Sequence, residues 1–128
     1  MPYVTDTHAL IWYLTDDAQL SNAAREIFEK VDSGQETVLI PCIVLFELFY
    51  LVEKNRIVID FDSVVSMVSS ASNYGVEPLC LPIIEASRKI SMEVRDPWDR
   101  LIAATSLRLG LPLITCDRTL EAVTETVW

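Results

Sequence analysis

Four acidic residues from separate parts of the chain could carry metal-dependent chemistry: Asp6, Glu47, Asp99 and Asp117. Carboxylate oxygens without cysteine or histidine partners favour Mg²⁺ or Mn²⁺ over zinc. Acids gathered at one point would repel one another unless divalent ions bound between them. Such a site suits phosphodiester hydrolysis, because one ion lowers the pKa of a bound water and a second can stabilise the leaving oxygen. The sequence therefore predicts a carboxylate metal site that needs no side-chain nucleophile.

Glu47 has the least ordinary surroundings of the four acids. It lies in the apolar run Ile43–Val52, where no helical face is polar, so we expect partial burial. A buried carboxylate needs a cation or a shifted pKa. A metal is one solution, and a structural salt bridge to Arg100 or Arg56 is the alternative.

The aspartates also have purely structural interpretations. Asp6 and Asp117 each follow a strand-like segment, where aspartate often caps a helix or forms a turn. Asp96 is a candidate N-cap before Pro97, and Asp99 falls where a capping-box acid would sit. Only convergence at one place would favour a chemical role.

The pattern of apolar segments predicts the elements that position these acids. Strand-like runs alternate with helical spacing, at Tyr3–Thr5, Thr37–Ile40, Val76–Leu81, Pro112–Cys116 and Glu125–Trp128. Because the runs are apolar without strict alternation, they indicate a parallel sheet covered on both faces. We predict a single α/β domain over residues 1–128, a three-layer sandwich whose mainly parallel sheet of about five strands is flanked by helices.

The acids should meet at one edge of this sheet. Carboxyl ends of parallel strands share an edge, where ligands bind. Asp6 and Asp117 follow the first and fourth strands, Glu47 lies in the helix after the second, and Asp99 begins a helix that ends at Gly110.

The middle of the chain is predicted as a helix over Ser63–Tyr74, capped by Asp62 and ended by Gly75. A strand should follow, and then a helix that opens at Pro82 and runs through Ile90.

Composition limits the possible partners. The chain has 10 basic and 19 acidic residues, a net charge of −9, which argues against non-specific binding of nucleic acid or anionic membranes. A metal-loaded acidic pocket is the exception, because it presents a positive face to phosphate. No signal peptide or membrane span is apparent, and we expect a soluble, cytoplasmic protein. We expect the scattered Cys42, Cys80 and Cys116 to be small buried hydrophobes.

Four segments in order resemble a known family: Asp6-Thr-His-Ala-Leu-Ile-Trp12, a helical Glu47, Asp96-Pro-Trp-Asp-Arg-Leu-Ile-Ala-Ala104 and Leu113-Ile-Thr-Cys-Asp117. The chain resembles the PIN-domain ribonucleases, specifically the VapC-type toxins of toxin–antitoxin pairs. The resemblance implies a parallel sheet flanked by helices, Mg²⁺- or Mn²⁺-dependent RNA cleavage, homodimers and neutralisation by a cognate antitoxin.

Carried over by position, the resemblance assigns the catalytic and metal-binding roles to Asp6, Glu47, Asp99 and Asp117. It places Asp99 rather than Asp96 in the third position, because Asp99 has the family's spacing to Leu101–Ala104. Asp96 is then a cap or an outer group.

Several further residues are candidates for supporting roles. Thr7 and Thr115 would orient a carboxylate or a bound water, or else serve as a helix cap and a strand residue. Arg100 and Arg118 follow site acids and are candidates for RNA contacts, although exposed arginines are usually only solvated. His8 is expected to be a packing or hydrogen-bonding residue at a helix start.

The aromatic residues could stack on bases, but their helical spacing favours the core or a dimer interface for Trp12, Trp98, Phe46 and Phe49.

Two other functions are weighed against a toxin endoribonuclease. One is a binding module of the same fold that acts mainly through a protein partner, with weak or occluded nuclease activity. The other is a phosphoacceptor receiver domain, which would want paired acids after the first strand and a late lysine. Asp6 stands alone and no lysine follows Lys89, so the four acids favour the nuclease.

Overall fold

The computed structural model describes residues 2–128. Five strands and seven helices follow one another along this part of the chain. Their bounds are β1 Pro2–Thr5, α1 Thr7–Leu14, α2 Asn22–Asp32, β2 Thr37–Pro41, α3 Cys42–Glu53, α4 Phe61–Ser70, β3 Tyr74–Glu77, α5 Leu81–Ser87, α6 Pro97–Leu109, β4 Leu113–Ile114, α7 Arg118–Glu121 and β5 Thr126–Val127.

The strands form one parallel sheet in the order β3-β2-β1-β4-β5, flanked by the helices. This confirms the predicted α/β fold. β1 lies at the centre, where Val4 is in register with Leu39 on one side and Leu113 on the other. The central strands carry fully buried aliphatic side chains, each worth roughly 1.5–3 kcal/mol on burial, namely Val4, Val38, Ile40, Leu113 and Ile114.

This strand order creates a crevice beside β1. The chain adds β2 and β3 on one side of β1, and later adds β4 and β5 on the other side. Ligands in such sheets bind where the order reverses, outside the carboxyl ends of the strands. Asp6 follows β1 and Asp117 lies just beyond β4, so both flank this point.

Helix ends near the site follow the predicted signals. Asp6 accepts a hydrogen bond from the Ala9 amide at 2.8 Å and caps α1. Asp96 accepts from the Trp98 amide at 2.8 Å and caps α6. Gly110 ends α6 with φ of 66°, a left-handed conformation that favours glycine.

The middle of the chain differs from the prediction at the cap of α4, at Gly75 and in the length of α5. The cap of α4 is Asp60, which accepts from the Asp62 amide at 3.1 Å, so the assignment of the cap to Asp62 was wrong. Gly75 lies inside β3 rather than ending a helix. There a Cβ atom would come within 2.8 Å of Leu39 Cδ2, so the glycine permits close packing between strands.

α5 is shorter than predicted, because it ends at Ser87 and Ile90 lies beyond it. The Arg100 guanidinium donates to carbonyl oxygens at and beyond this end, those of Ser87 at 3.1 Å and Ile90 at 3.2 Å.

The cysteines are exposed, so their predicted burial was wrong. None of the three lies in a strand, because Cys42 begins α3, Cys80 precedes α5 and Cys116 lies between β4 and α7. Within residues 2–128, the helices are too short or too polar to cross a membrane.

Candidate active site

All four predicted acids reach one cavity of about 380 Å³ at the carboxyl edge of the sheet. We call it the acidic cavity. Its wall consists of Asp6, His8, Trp12, Glu47, Asp96, Asp99, Cys116 and Asp117. The fold thus brings together carboxylates that follow β1 and β4 with others from α3 and α6.

Asp6 is buried and firmly held. One carboxylate oxygen accepts from the Ala9 amide at 2.8 Å, and the other accepts from the Thr115 hydroxyl. Burial raises the pKa of Asp6, the nearby charge of Asp117 raises it further, and the two hydrogen bonds oppose that rise. The side chain is therefore fixed in orientation while its negative charge is costly.

Glu47 is half-buried, as predicted, but its partner is a hydroxyl. Its Oε1 accepts from Thr7 Oγ1 at 2.6 Å. In residues 2–128 it forms no ion pair with Arg100 or Arg56, so the salt-bridge alternative is wrong. The Thr7 hydroxyl orients this carboxylate without neutralising it.

Asp99 is subject to repulsion from the other acids of the cavity. Burial raises the pKa of Asp99 to about 7, helped by the negative charges of Asp96, Asp117, Glu47 and Asp6. No donor within residues 2–128 forms a hydrogen bond to its carboxylate. A cation bound beside these acids would offset the repulsion.

Asp117 is tied to Asp6 through Thr115. The Asp117 amide donates to Thr115 Oγ1 at 3.1 Å, and the same hydroxyl donates to Asp6. The Asp117 carboxylate accepts from the amide and hydroxyl of Thr119, at 2.9 and 2.8 Å, and caps α7. Thr115 therefore couples two site acids, as one of its predicted roles required.

A family model described as the PIN domain matches residues 3–125. The chain belongs to the PIN domain family. It is 30% identical over 119 residues to Ribonuclease VapC22 of Mycobacterium tuberculosis, covering 91% of this chain and 88% of that protein. The family match and this relative confirm the predicted resemblance to VapC-type members of the family.

Two solved structures share the fold of this PIN domain. DNA-bound VapBC from Salmonella typhimurium has a TM-score of 0.72 and 22% identity, covering 99% of this chain and 97% of that chain. A toxin–antitoxin complex from Klebsiella pneumoniae has a TM-score of 0.62 and 17% identity, covering 98% and 96%. At these identities the likeness concerns the fold alone.

The donor chemistry of this PIN domain fits a divalent cation. The cavity offers carboxylate oxygens from four chain segments, which suit Mg²⁺ or Mn²⁺. Among residues 2–128, no three histidine, cysteine, aspartate or glutamate side chains are arranged as a ready-made metal site. The acids line the cavity wall, as expected for like charges that repel one another.

Three wall residues were not predicted as part of the site. The His8 ring lies 5.7 Å from the Trp12 ring, in keeping with its predicted packing role. Partial desolvation raises the pKa of the Cys116 thiol, and the charge of Asp6 adds to the rise, so the thiol is protonated at neutral pH in the absence of a metal. The signal in the sequence was adjacency to Thr7 for His8, and adjacency to Thr115 and Asp117 for Cys116.

The arginines occupy different surroundings. Arg100 is half-buried, and its guanidinium is turned towards backbone carbonyls beyond α5, including Val94 at 3.4 Å. Arg118 is exposed at the start of α7, next to Asp117. RNA contact stays a prediction for both, and Arg118 is the better placed of the two.

Three of the aromatic residues do not belong to the core. Phe46, Phe49 and Trp98 are 54%, 39% and 40% exposed. Trp12 is half-buried against Trp128, with ring centroids 5.8 Å apart. Each of these three rings contacts a neighbouring aromatic ring but keeps a large exposed area, so the core interpretation was wrong for them, and a dimer interface stays a prediction.

Proposed function

We propose that this PIN domain is a Mg²⁺- or Mn²⁺-dependent endoribonuclease, the toxin of a toxin–antitoxin pair, which hydrolyses RNA phosphodiester bonds. The convergence of four carboxylates from distant segments carries this proposal. The name of the ribonuclease relative, at 30% identity, supports RNA as the substrate.

The residues that would hold the ion are Asp6, Glu47, Asp99 and Asp117. A divalent ion bound there lowers the pKa of water and stabilises the negative charge that builds up on a phosphodiester during hydrolysis.

The chain's own groups prepare this site. Thr115 and Ala9 fix both oxygens of Asp6, and Thr7 fixes one oxygen of Glu47. With its pKa raised to about 7, Asp99 is only partly ionised near neutral pH, and a bound cation would favour its charged form. The site therefore combines acids held in a fixed orientation with one acid, Asp99, whose charge depends on whether a divalent cation is bound.

RNA cleavage by the purified chain tests the proposal directly. We expect cleavage with Mg²⁺ or Mn²⁺, none with EDTA, and losses of about 100-fold or more in Asp6→Asn, Glu47→Gln and Asp99→Asn. Asp62→Asn is the matched control, because Asp62 is an exposed acid on α4 outside the cavity. Cleavage that persists in EDTA would contradict the proposal.

The alternative is a binding module that acts mainly through a protein partner. It would be favoured if the wild type neither cleaves RNA nor gains thermal stability from Mg²⁺ or Mn²⁺. If ions raise the melting temperature through these acids without any cleavage, the metal site stands and the substrate is a different one.

We further propose a cognate antitoxin and a second copy of the chain as partners in the cytoplasm. Solved structures of this fold include a toxin–antitoxin complex, which supports the first. Co-expression with the small protein encoded by a neighbouring reading frame tests it, with loss of RNA cleavage as the expected result. Light scattering tests the homodimer.

A further inference from the structure

A second cavity adjoins the acidic one. It has a volume of about 430 Å³ and shares Glu47 with the acidic cavity. The rest of its wall is Phe46, Tyr50, Leu51 and Trp98. Two of these rings, Phe46 and Tyr50, are 54% and 50% exposed, so we call it the aromatic cavity.

The aromatic cavity is built from the direct neighbours of two site acids. Phe46 precedes Glu47, and Trp98 precedes Asp99. The rings of Phe46 and Trp98 lie 5.9 Å apart and are tilted by 33°, so they already contact each other. A planar ligand would therefore stack on an exposed outer face rather than enter between them.

Charge explains why an RNA-cleaving chain of this composition would need such a surface. With a net charge of −9, general attraction to phosphate is not available. Stacking of bases on aromatic rings does not depend on net charge and tolerates any sequence. At the end of α3, Lys54 Nζ lies 5.5 Å from the centre of the Tyr50 ring and adds a local cation.

We propose that the aromatic cavity is a nucleobase subsite, which stacks the base next to the phosphodiester held at the acids, with Lys54 facing the following phosphate. This inference rests on the proposed ribonuclease function. An apolar helix of a protein partner is the competing occupant. The observations favour a base, because the cavity continues the acidic one through Glu47 and has a cation beside the Tyr50 ring of its wall.

The test is binding of a labelled single-stranded oligoribonucleotide, followed by fluorescence anisotropy. It uses the Asp6→Asn chain, which is expected not to cleave. Adding Trp98→Leu or Phe46→Leu should raise the Kd about five-fold or more. Phe49→Leu is the matched control, because Phe49 is an exposed ring on the same helix that packs on Phe61 outside the cavity.

An abasic nucleotide identifies the stacked base. At one position of the oligonucleotide, removing the base should raise the Kd of the Asp6→Asn chain as much as adding Trp98→Leu does. The chain that carries both Asp6→Asn and Trp98→Leu should bind the abasic and the intact oligonucleotide with the same Kd. Melting curves establish that each variant is folded.

Several outcomes would overturn the inference. The inference is wrong if Trp98→Leu and Phe46→Leu both keep the Kd of the Asp6→Asn parent, or if Phe49→Leu raises the Kd as much as they do. It is also wrong if Trp98→Leu and Phe46→Leu bind RNA normally and lose self-association, because the surface would then be a protein interface. If the wild type cleaves RNA while these variants keep the parent's Kd, the inference fails alone. If the wild type neither binds nor cleaves RNA, the proposed function fails with it.

Discussion

The two sides of the acidic cavity are built in different ways. On one side, Asp6 and Glu47 each accept a hydrogen bond from a threonine hydroxyl. On the other side, the Asp99 carboxylate accepts none within residues 2–128, and burial and neighbouring charge raise its pKa to about 7. One side is held in place before any cation arrives, and the other depends on the cation for its charge.

The difference shows how a protein can crowd acids and still fold. A threonine hydroxyl donates one proton and adds no charge, so it orients a carboxylate and leaves lone pairs for a ligand. An arginine or lysine in that place would neutralise the acid and compete with the metal. The threonines therefore give orientation, while burial and repulsion raise the pKa of Asp6 and of Asp99, and the Asp99 carboxylate bears its share without a hydrogen-bond donor among residues 2–128.

Loss of the Thr115 hydroxyl should have the largest effect among substitutions outside the four acids. Thr115→Val removes the hydroxyl that donates to buried Asp6 and accepts from the Asp117 amide. We expect RNA cleavage or Mg²⁺ affinity to fall about 10- to 100-fold, measured by cleavage rate and by isothermal titration calorimetry. Thr115→Ser keeps the hydroxyl and should restore most of both. Equal losses in the two variants would show that packing, rather than orientation, explains the effect.

Thr7→Val should cost less, about ten-fold at most in cleavage. Glu47 is half-buried, so water can replace the lost donor in part, whereas Thr115 serves an almost fully buried carboxylate. The measurement is the dependence of the cleavage rate on Mg²⁺ concentration, with Thr7→Ser as the control that retains the hydroxyl. A loss as large as that of Thr115→Val would break the ranking of the two threonines.

Without metal, stability should fall as the pH rises from about 4 to about 7. The folded chain holds protons on Asp99 and Asp6 that the unfolded chain releases near the ordinary aspartate pKa. Their raised pKa values therefore favour the folded state at low pH, and this contribution is lost as the pH passes the folded value. Because Asp99 is partly solvated, its share is on the order of 1–2 kcal/mol.

Thermal melting across this pH range measures the effect. Asp99→Asn does not titrate at that position, so the difference between wild type and variant isolates the contribution of Asp99. Added Mg²⁺ should flatten the wild-type curve. A wild-type slope identical to that of Asp99→Asn would show that Asp99 does not carry the repulsion.

The sequence predicted those features that depend on a few neighbouring residues. Asp96 before Pro97 predicts the start of α6, and Gly110 predicts its end, because backbone geometry and capping are decided within a few residues. Gly75 was misread because glycine serves equally at a helix end and at a close approach between strands, and only Leu39 on β2 distinguishes the two.

Features that join distant residues could not be predicted in full. The sequence shows that Thr7 and Thr115 are near acids, but not that Thr7 bonds to Glu47, 40 positions away. The apolar spacing of Phe46 and Trp98 predicts buried faces, yet it cannot show whether another element covers them. Those answers depend on which elements the sheet brings together.

The smallest expected effect concerns Asp96, which borders the strained side of the cavity. As N-cap of α6 it accepts from the Trp98 amide, so Asp96→Ala should cost about 1 kcal/mol of stability in thermal melting. Asp96→Asn keeps the cap and removes the charge that helps raise the pKa of Asp99. We therefore expect Asp96→Asn to match wild-type stability and to cleave RNA within a few-fold of wild type, with a weaker fall in metal-free stability as the pH rises. If Asp96→Asn abolished cleavage as fully as Asp99→Asn, Asp96 would belong with the four site acids. It would then join Asp99 on the side of the cavity whose charge depends on a bound cation.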